Sequence, residues 1–282
     1  MIRYALAVAA LALASPLAAQ EASPEALVAA ERAQARAAEM ARVQAATALA
    51  QRQFSAMNPG ALGADYQGAI ALPGTAADTW LAIIVGRRGE GSDAPYVALA
   101  EYEIANGAII SEVIHLSGDA PELDGTASAM AQARAFAPRA VLASNSAAFC
   151  TTGEADVVSF STIVMPVGEN GRFDAYVLNG PIEDGAIPLG RHFRVSFDEF
   201  GLDGDPELMT DTCETVTWDA DASGLAGNVY VTEHAAGEAP NEVHAFISSL
   251  LPMSLGVVTR ELIWPVAGGT VGSPVTASES GD

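Results

Sequence analysis

Between Ser23 and Met57 alanine dominates, and after Pro24 neither Gly nor Pro interrupts the run. This pattern predicts one long helix, with Ser23 placed to cap it, Pro24 suited to its first turn and Pro59-Gly60 stopping it. An Ala-rich helical segment is therefore assigned to residues 21–58, about 50 Å long. Its larger apolar residues, Leu27, Val28, Met40, Val43, Leu49 and Phe54, are sparse and give only a narrow stripe. The expectation is a weakly docked helix, mostly exposed and anchored near Phe54 and Met57. Arg36, Glu39 and Arg42 are spaced to pair along one face.

The period then shortens. Residues 66–72, 79–85, 96–104 and 108–115 are rich in Ile, Val and aromatics and predict four strands, the last two joined at Asn106-Gly107, a strong hairpin signal. A helix from Thr126 to Ala135 follows, limited by Pro138. Residues 60–145 thus predict a β-meander plus helix unit. From 146 to 268 a second β unit is expected. Strands are predicted at 157–167, 172–178 and 190–198, where Phe193, Val195 and Phe197 alternate with His192, Arg194 and Ser196. Further strands are predicted near 213–218, 228–234 and 242–250, with a hairpin over 257–266. Residues 269–282 are Gly, Ser, Thr and acid and predict a disordered tail. The fold class is α+β: a long N-terminal helix followed by mainly antiparallel sheets with one covering helix.

Charge narrows the function classes. There are 13 basic residues, all arginine, against 35 acidic ones, for a net charge of −22. Without lysine, Schiff-base chemistry and a phosphate-loop lysine are excluded. The acidity disfavours nucleic acid as a partner, which requires many cations. Arg3, the apolar run Tyr4–Ala14 and the small residues to Ala19 predict a signal peptide over 1–20, and hence a periplasmic or secreted protein. No later stretch is long and apolar enough to predict a transmembrane segment. Two cysteines in an exported chain predict one disulfide, Cys150 to Cys213, with a loop-entropy contribution of roughly 4 kcal/mol.

Two constellations are candidates for chemistry. If the connection between His234 and Glu242 were a hairpin, His234 would face Glu242, and His244 would share its face, with His192 joining from another strand. Three histidines and a carboxylate suit zinc and a metal-bound water for hydrolysis, although the spacing matches no zinc-enzyme motif. Asp219, Asp221 and Ser223, followed by Gly224, match the first half of a calcium loop, but position twelve is Tyr230 rather than Glu. Asp203, Asp205 and Glu207 form a second acidic loop.

The order Phe149-Cys150, Tyr176-Val-Leu178, Pro188, Gly190, His192, Arg194-Val195, Cys213 and Glu242-Val-His-Ala-Phe246 resembles a group of exported bacterial proteins of unassigned function. The resemblance covers roughly residues 146–268. It implies a disulfide-bearing β domain and an exported location, and it carries no activity. The expected function is a non-catalytic envelope module that binds a ligand or an envelope protein, or is structural. Self-association through the N-terminal helix is a further expectation. The alternatives are a metal-dependent hydrolase and a calcium-stabilised secreted module.

Overall fold

The computed structural model describes residues 21–57, 66–89, 91, 93–115, 118–144, 159–180 and 182–276. The expected signal peptide and Cys150 lie outside them, so the expected bridge to Cys213 does too.

Helix α1 spans Pro24–Met57. Ser23 caps it, its Oγ accepting the Ala26 amide at 3.0 Å. The expected weak docking is not what forms. A continuous seam of Ala26, Ala30, Ala33, Ala37, Met40, Val43, Ala46, Thr47, Ala50 and Phe54 is buried, while Met57 is exposed. Reading only the large side chains misses this seam. Alanines three and four apart let the helix axis come close to a sheet, so a stripe poor in large residues can still be fully covered.

Four antiparallel strands follow in meander order: β1 (Tyr66–Pro73), β2 (Thr79–Arg87), β3 (Tyr96–Ala105) and β4 (Ala108–Ile114). Asn106 and Gly107 turn β3 into β4 with φ of 49° and 74°, as a two-residue hairpin requires. Helix α2 (Gly125–Ser144) starts at Asp124, whose Oδ1 accepts the Ala127 amide at 2.9 Å. It outruns its expected end at 135 by nine residues and carries Pro138 inside it, buried. The burial of Met130, Ala131, Ala137 and Val141 against the strands offsets the hydrogen bond that proline removes.

The second sheet has the order β10-β8-β6-β5, with β9 paired to β8. Its members are β5 (Phe160–Val164), β6 (Phe173–Asn179), β8 (His192–Asp198), β9 (Gly201–Leu202) and β10 (Glu207–Thr210). A short pair, β7 (Ala186–Pro188) with β11 (Thr215–Thr217), adjoins it.

Alternate residues of both sheets enter two cores. Ile70, Ile83 and Val85, with Val164, Ala175, Val177 and Val195, pack with α2. Ala69, Ala82 and Ile84, with Ile163, Tyr176 and Leu178, pack with α1. The two sheets are therefore one central layer between helices. Arg134 of α2 bridges them, donating from Nε to the Gln67 carbonyl at 3.3 Å and from Nη1 to the Thr162 carbonyl at 2.7 Å. Gly68, at φ +108°, makes room for it: a Cβ there would lie 2.1 Å from Arg134 Nε.

The C-terminal sheet departs most from expectation. It contains β12 (Val229–Glu233), β13 (Ser254–Thr259), β14 (Leu262–Ala267), β15 (Thr270–Val271) and β16 (Val275–Thr276). Strands β12 and β13 are parallel, and the expected strand over 242–250 is a helix, α3 (Glu242–Ser248), that crosses between them. Asn241 sets this outcome. Its Oδ1 accepts the amides of Val243 and His244 at 3.1 and 3.3 Å. All seven helix residues are buried, so no alternation distinguishes helix from strand. The expected tail is likewise ordered through Thr276: β15 and β16 both pair with β14, and the Val271 amide donates to Gln34 Oε1 on α1 at 2.8 Å.

Candidate functional site

A polar cluster joins α1, β6, β8, β10 and α3. Arg36 donates from Nη1 to Glu39 (2.8 Å), from Nη2 to Asp174 (2.8 Å) and from Nε to the Tyr176 hydroxyl (3.3 Å). Tyr176 donates to Glu242 Oε1 at 2.8 Å, and Arg194 donates to the same oxygen at 3.0 Å and to Glu207. Burial, then the Glu242 carboxylate, pushes the Tyr176 phenol well above its ordinary range, so it stays a donor. A cleft of about 660 Å³ opens over this cluster, between α1 and residues 234–242. Both guanidiniums at its floor are already held by carboxylates, which makes the cluster a clasp between elements rather than a vacant anion site.

The histidines expected to bind metal are placed as follows. His234 and His244 come together, their ring centroids 4.7 Å apart. Gly237 permits this, since a Cβ there would lie 2.4 Å from His234 Nε2. Glu242 turns away to Tyr176 and Arg194. His192 is fully buried, and both its nitrogens are used: Nδ1 accepts the Asn179 amide at 2.9 Å, and Nε2 donates to the Pro188 carbonyl at 3.1 Å. The Nδ1 of His244 sits in its own helix cap, 2.9 Å from Asn241 Oδ1 and 3.3 Å from the Asn241 amide. Burial lowers His192 to about 4. Burial, reinforced by the neighbouring His234 and His192, lowers His244 to about 3. His234 is also lowered by burial, against the opposing pull of Asp211. These are neutral core imidazoles. Among the described residues no group of three or more His, Cys, Asp or Glu is arranged to hold a metal ion.

The acidic loops form turns. Asp219 Oδ1 accepts the Asp221 amide at 3.0 Å, and the Asp219 carbonyl accepts the Ala222 amide at 3.0 Å. Ser223 is exposed beyond that turn, and Tyr230 lies in β12. In the other loop Asp203 pairs with Arg172 at 3.1 Å, and Glu207 pairs with Arg194.

A surface groove has a different character. It encloses about 720 Å³ between α2, the β2–β3 loop end and the β8–β9 hairpin. Phe173 and Phe197 stack at its floor with centroids 5.4 Å apart. Tyr96 forms one wall, with the Arg87 guanidinium 5.2 Å above its ring. The rim carries apolar side chains in water: Phe200 is 90% exposed, Phe136 45% and Leu202 43%. Asp93, Glu122, Asp198 and Glu199 outnumber Arg87 and Arg139 around it. Phe200 is held at a two-residue turn, where its amide donates to Asp198 Oδ1 at 2.8 Å and Gly201 takes φ +121°.

Neither the groove nor the clasp emerges from the sequence reading. Asp198-Glu-Phe-Gly201 carries the one usable signal, a phenylalanine where a tight turn selects polar residues. No family model matches the chain, and comparison with curated proteins and with solved structures likewise finds no match.

Proposed function

We propose that the chain is an exported, non-catalytic binding module whose ligand is a cationic peptide segment bearing aromatic or aliphatic side chains. The observation that carries this reading is Phe200, which stands 90% exposed at the mouth of the groove. A turn that holds a large apolar side chain in water costs stability and supports no core, which is how binding anchors are built. The groove size suits side chains of a peptide, and the four acids around it, on a chain of net charge −22, favour a cationic partner. Export and the Cys150–Cys213 bridge belong to the same proposal, resting on the leader-like first 20 residues and the even cysteine count.

The test is fluorescence polarisation with labelled twelve-residue peptides of three kinds: arginine- and phenylalanine-rich, glutamate- and phenylalanine-rich, and arginine- and serine-rich. The first kind is expected to bind best, with affinity falling as salt rises, and Phe200→Ser should weaken it by about tenfold or more. Equal binding of the acidic peptides, or full binding by Phe200→Ser, refutes the groove. Expression with its own leader should yield a chain beginning after Ala19. It should carry no titratable thiol in the native state, and two reactive thiols would remove the bridge.

A further inference from the structure

Strand β12 is the outer strand of its sheet and pairs only with β13 among the described residues. The Asn228 carbonyl accepts the Ser254 amide at 3.1 Å, and the His234 amide donates to the Val258 carbonyl at 2.8 Å. Even-numbered residues of this stretch therefore direct their backbone groups to β13. The N–H and C=O groups of Val229, Val231 and Glu233 point the other way, and no described backbone group bonds them. An open strand edge of this kind is a template for another strand.

The side chains of the same residues leave a second unmet surface. Val229 is 61% exposed and Val231 55%. Beside them Gly256 leaves a flat step, where a Cβ would sit 3.5 Å from each valine and 3.4 Å from Ile263. Ile263 pairs with Val275, itself 42% exposed. Apart from Glu233 at its end, this strip carries no charge, on a chain of net −22. Two copies of so acidic a chain repel over most of their surfaces, and an apolar strip with an open strand edge and a single carboxylate at its end is where they can meet.

We propose that β12 is a self-association edge: two copies pair their β12 strands antiparallel about a two-fold axis at Val231 and join their sheets into one. The register is self-consistent. Val231 lies across from Val231 of the second copy as a hydrogen-bonded pair, and Val229 lies across from Glu233, so each outward N–H meets an outward C=O. Tyr230 lies across from Thr232. The two Glu233 carboxylates fall at opposite ends of the paired strands, about 13 Å apart, which exceeds the screening length in physiological salt. Self-association is thereby moved from α1, whose apolar seam is already covered within the chain, to the far side of the C-terminal sheet.

Sedimentation equilibrium of the full mature chain over a wide concentration range, together with hydrogen exchange, tests this. The wild type should form a dimer, with the amides of Val229, Val231 and Glu233 protected only at dimer-forming concentrations. Val231→Lys adds a charge at the axis from each copy and should raise the dimer dissociation constant by about 100-fold or more. Because Val231 is exposed in the monomer, the variant should keep the wild-type circular dichroism, and the wild-type melting temperature at concentrations where both are monomeric. Val231→Thr, which keeps the strand preference and shape, should still dimerise. A wild type that stays monomeric throughout, or a dimer indifferent to Val231→Lys, overturns the proposal. So does protection of those three amides in the monomer, because the chain would then cover its own edge.

Discussion

Replacing Gly68 with alanine tests whether the two sheets are held as one layer by Arg134. The new methyl carbon would lie 2.1 Å from Arg134 Nε and 2.6 Å from its Cζ, so the guanidinium must move. Moving it breaks the bonds to the Gln67 and Thr162 carbonyls, which come from strands of different sheets. Among the described residues Arg134 forms no ion pair, and burial lowers its pKa, so those carbonyls are its main compensation. Backbone strain at φ +108° adds about 1–3 kcal/mol. Losing bonds from a charged donor adds about 1.5–3 kcal/mol. The total, about 2.5–6 kcal/mol, should lower the melting temperature by roughly 5–24 °C in a chain of this size. The decisive assay is a double-mutant cycle with Arg134→Met, followed by urea denaturation. In the Met background only the backbone strain remains, so Gly68→Ala should destabilise by about 1.5–3 kcal/mol less than in the wild type. Additivity within about 0.5 kcal/mol would show that the seam is held by something other than the arginine.

Three further outcomes are expected. Ala37→Met, at a position 1% exposed in the α1 seam, should destabilise by about 1–3 kcal/mol, whereas Ala38→Met on the exposed side of the helix should stay within about 0.5 kcal/mol; deleting residues 21–52 should unfold the body, as followed by circular dichroism. Tyr176→Phe should destabilise by about 1–3 kcal/mol in chemical denaturation, because Glu242 and Arg36 both lose a partner in the clasp. His192 and His244, lowered to about 4 and about 3, bind fewer protons folded than unfolded below their ordinary 6.5. Stability should therefore be fully present above pH 6.5 and fall as pH drops toward 4 and then 3, each histidine contributing up to about 1.4 kcal/mol per pH unit. A pH titration of the denaturation midpoint checks this, and His192→Gln should flatten the slope.

Much of the fold is legible in residue order because strands with strong local signals obey them. Asn106-Gly107 specifies its hairpin, and the alternation of Phe193, Val195 and Phe197 specifies a strand with one buried face. The failures lie where the deciding contact is distant. The residues Glu242–Ser248 are buried all round, so their periodicity is silent and Asn241 decides for helix. Pro138 signals an end that α2 ignores, because packing on the sheets outweighs one absent hydrogen bond. The candidate site was less legible still. Glu242 and the histidines attract attention as ligand types, yet their partners are Tyr176, Arg194, Asn179 and Pro188, which no local pattern announces. Phe200 joins Phe136 and Tyr96 at one groove only through the tertiary fold.

The bond from the Val271 amide to Gln34 has a consequence for how the chain comes to be folded. It links residues 237 apart, and α1 also packs along α3, which is among the last elements to be synthesised. Helix α1 can cover part of its alanine seam on β1 and β2 soon after they emerge, but the part that meets α3 and β15 waits until those late segments exist. Closing so large a loop is entropically slow, and local helix formation alone holds little of α1 in place. Until residue 271 is in position that face of α1 is accessible to holding factors. Shortening the chain to end before Val271 should leave the same species trapped, with the face of α1 that meets α3 and β15 exposed because its late partners are missing or unsupported.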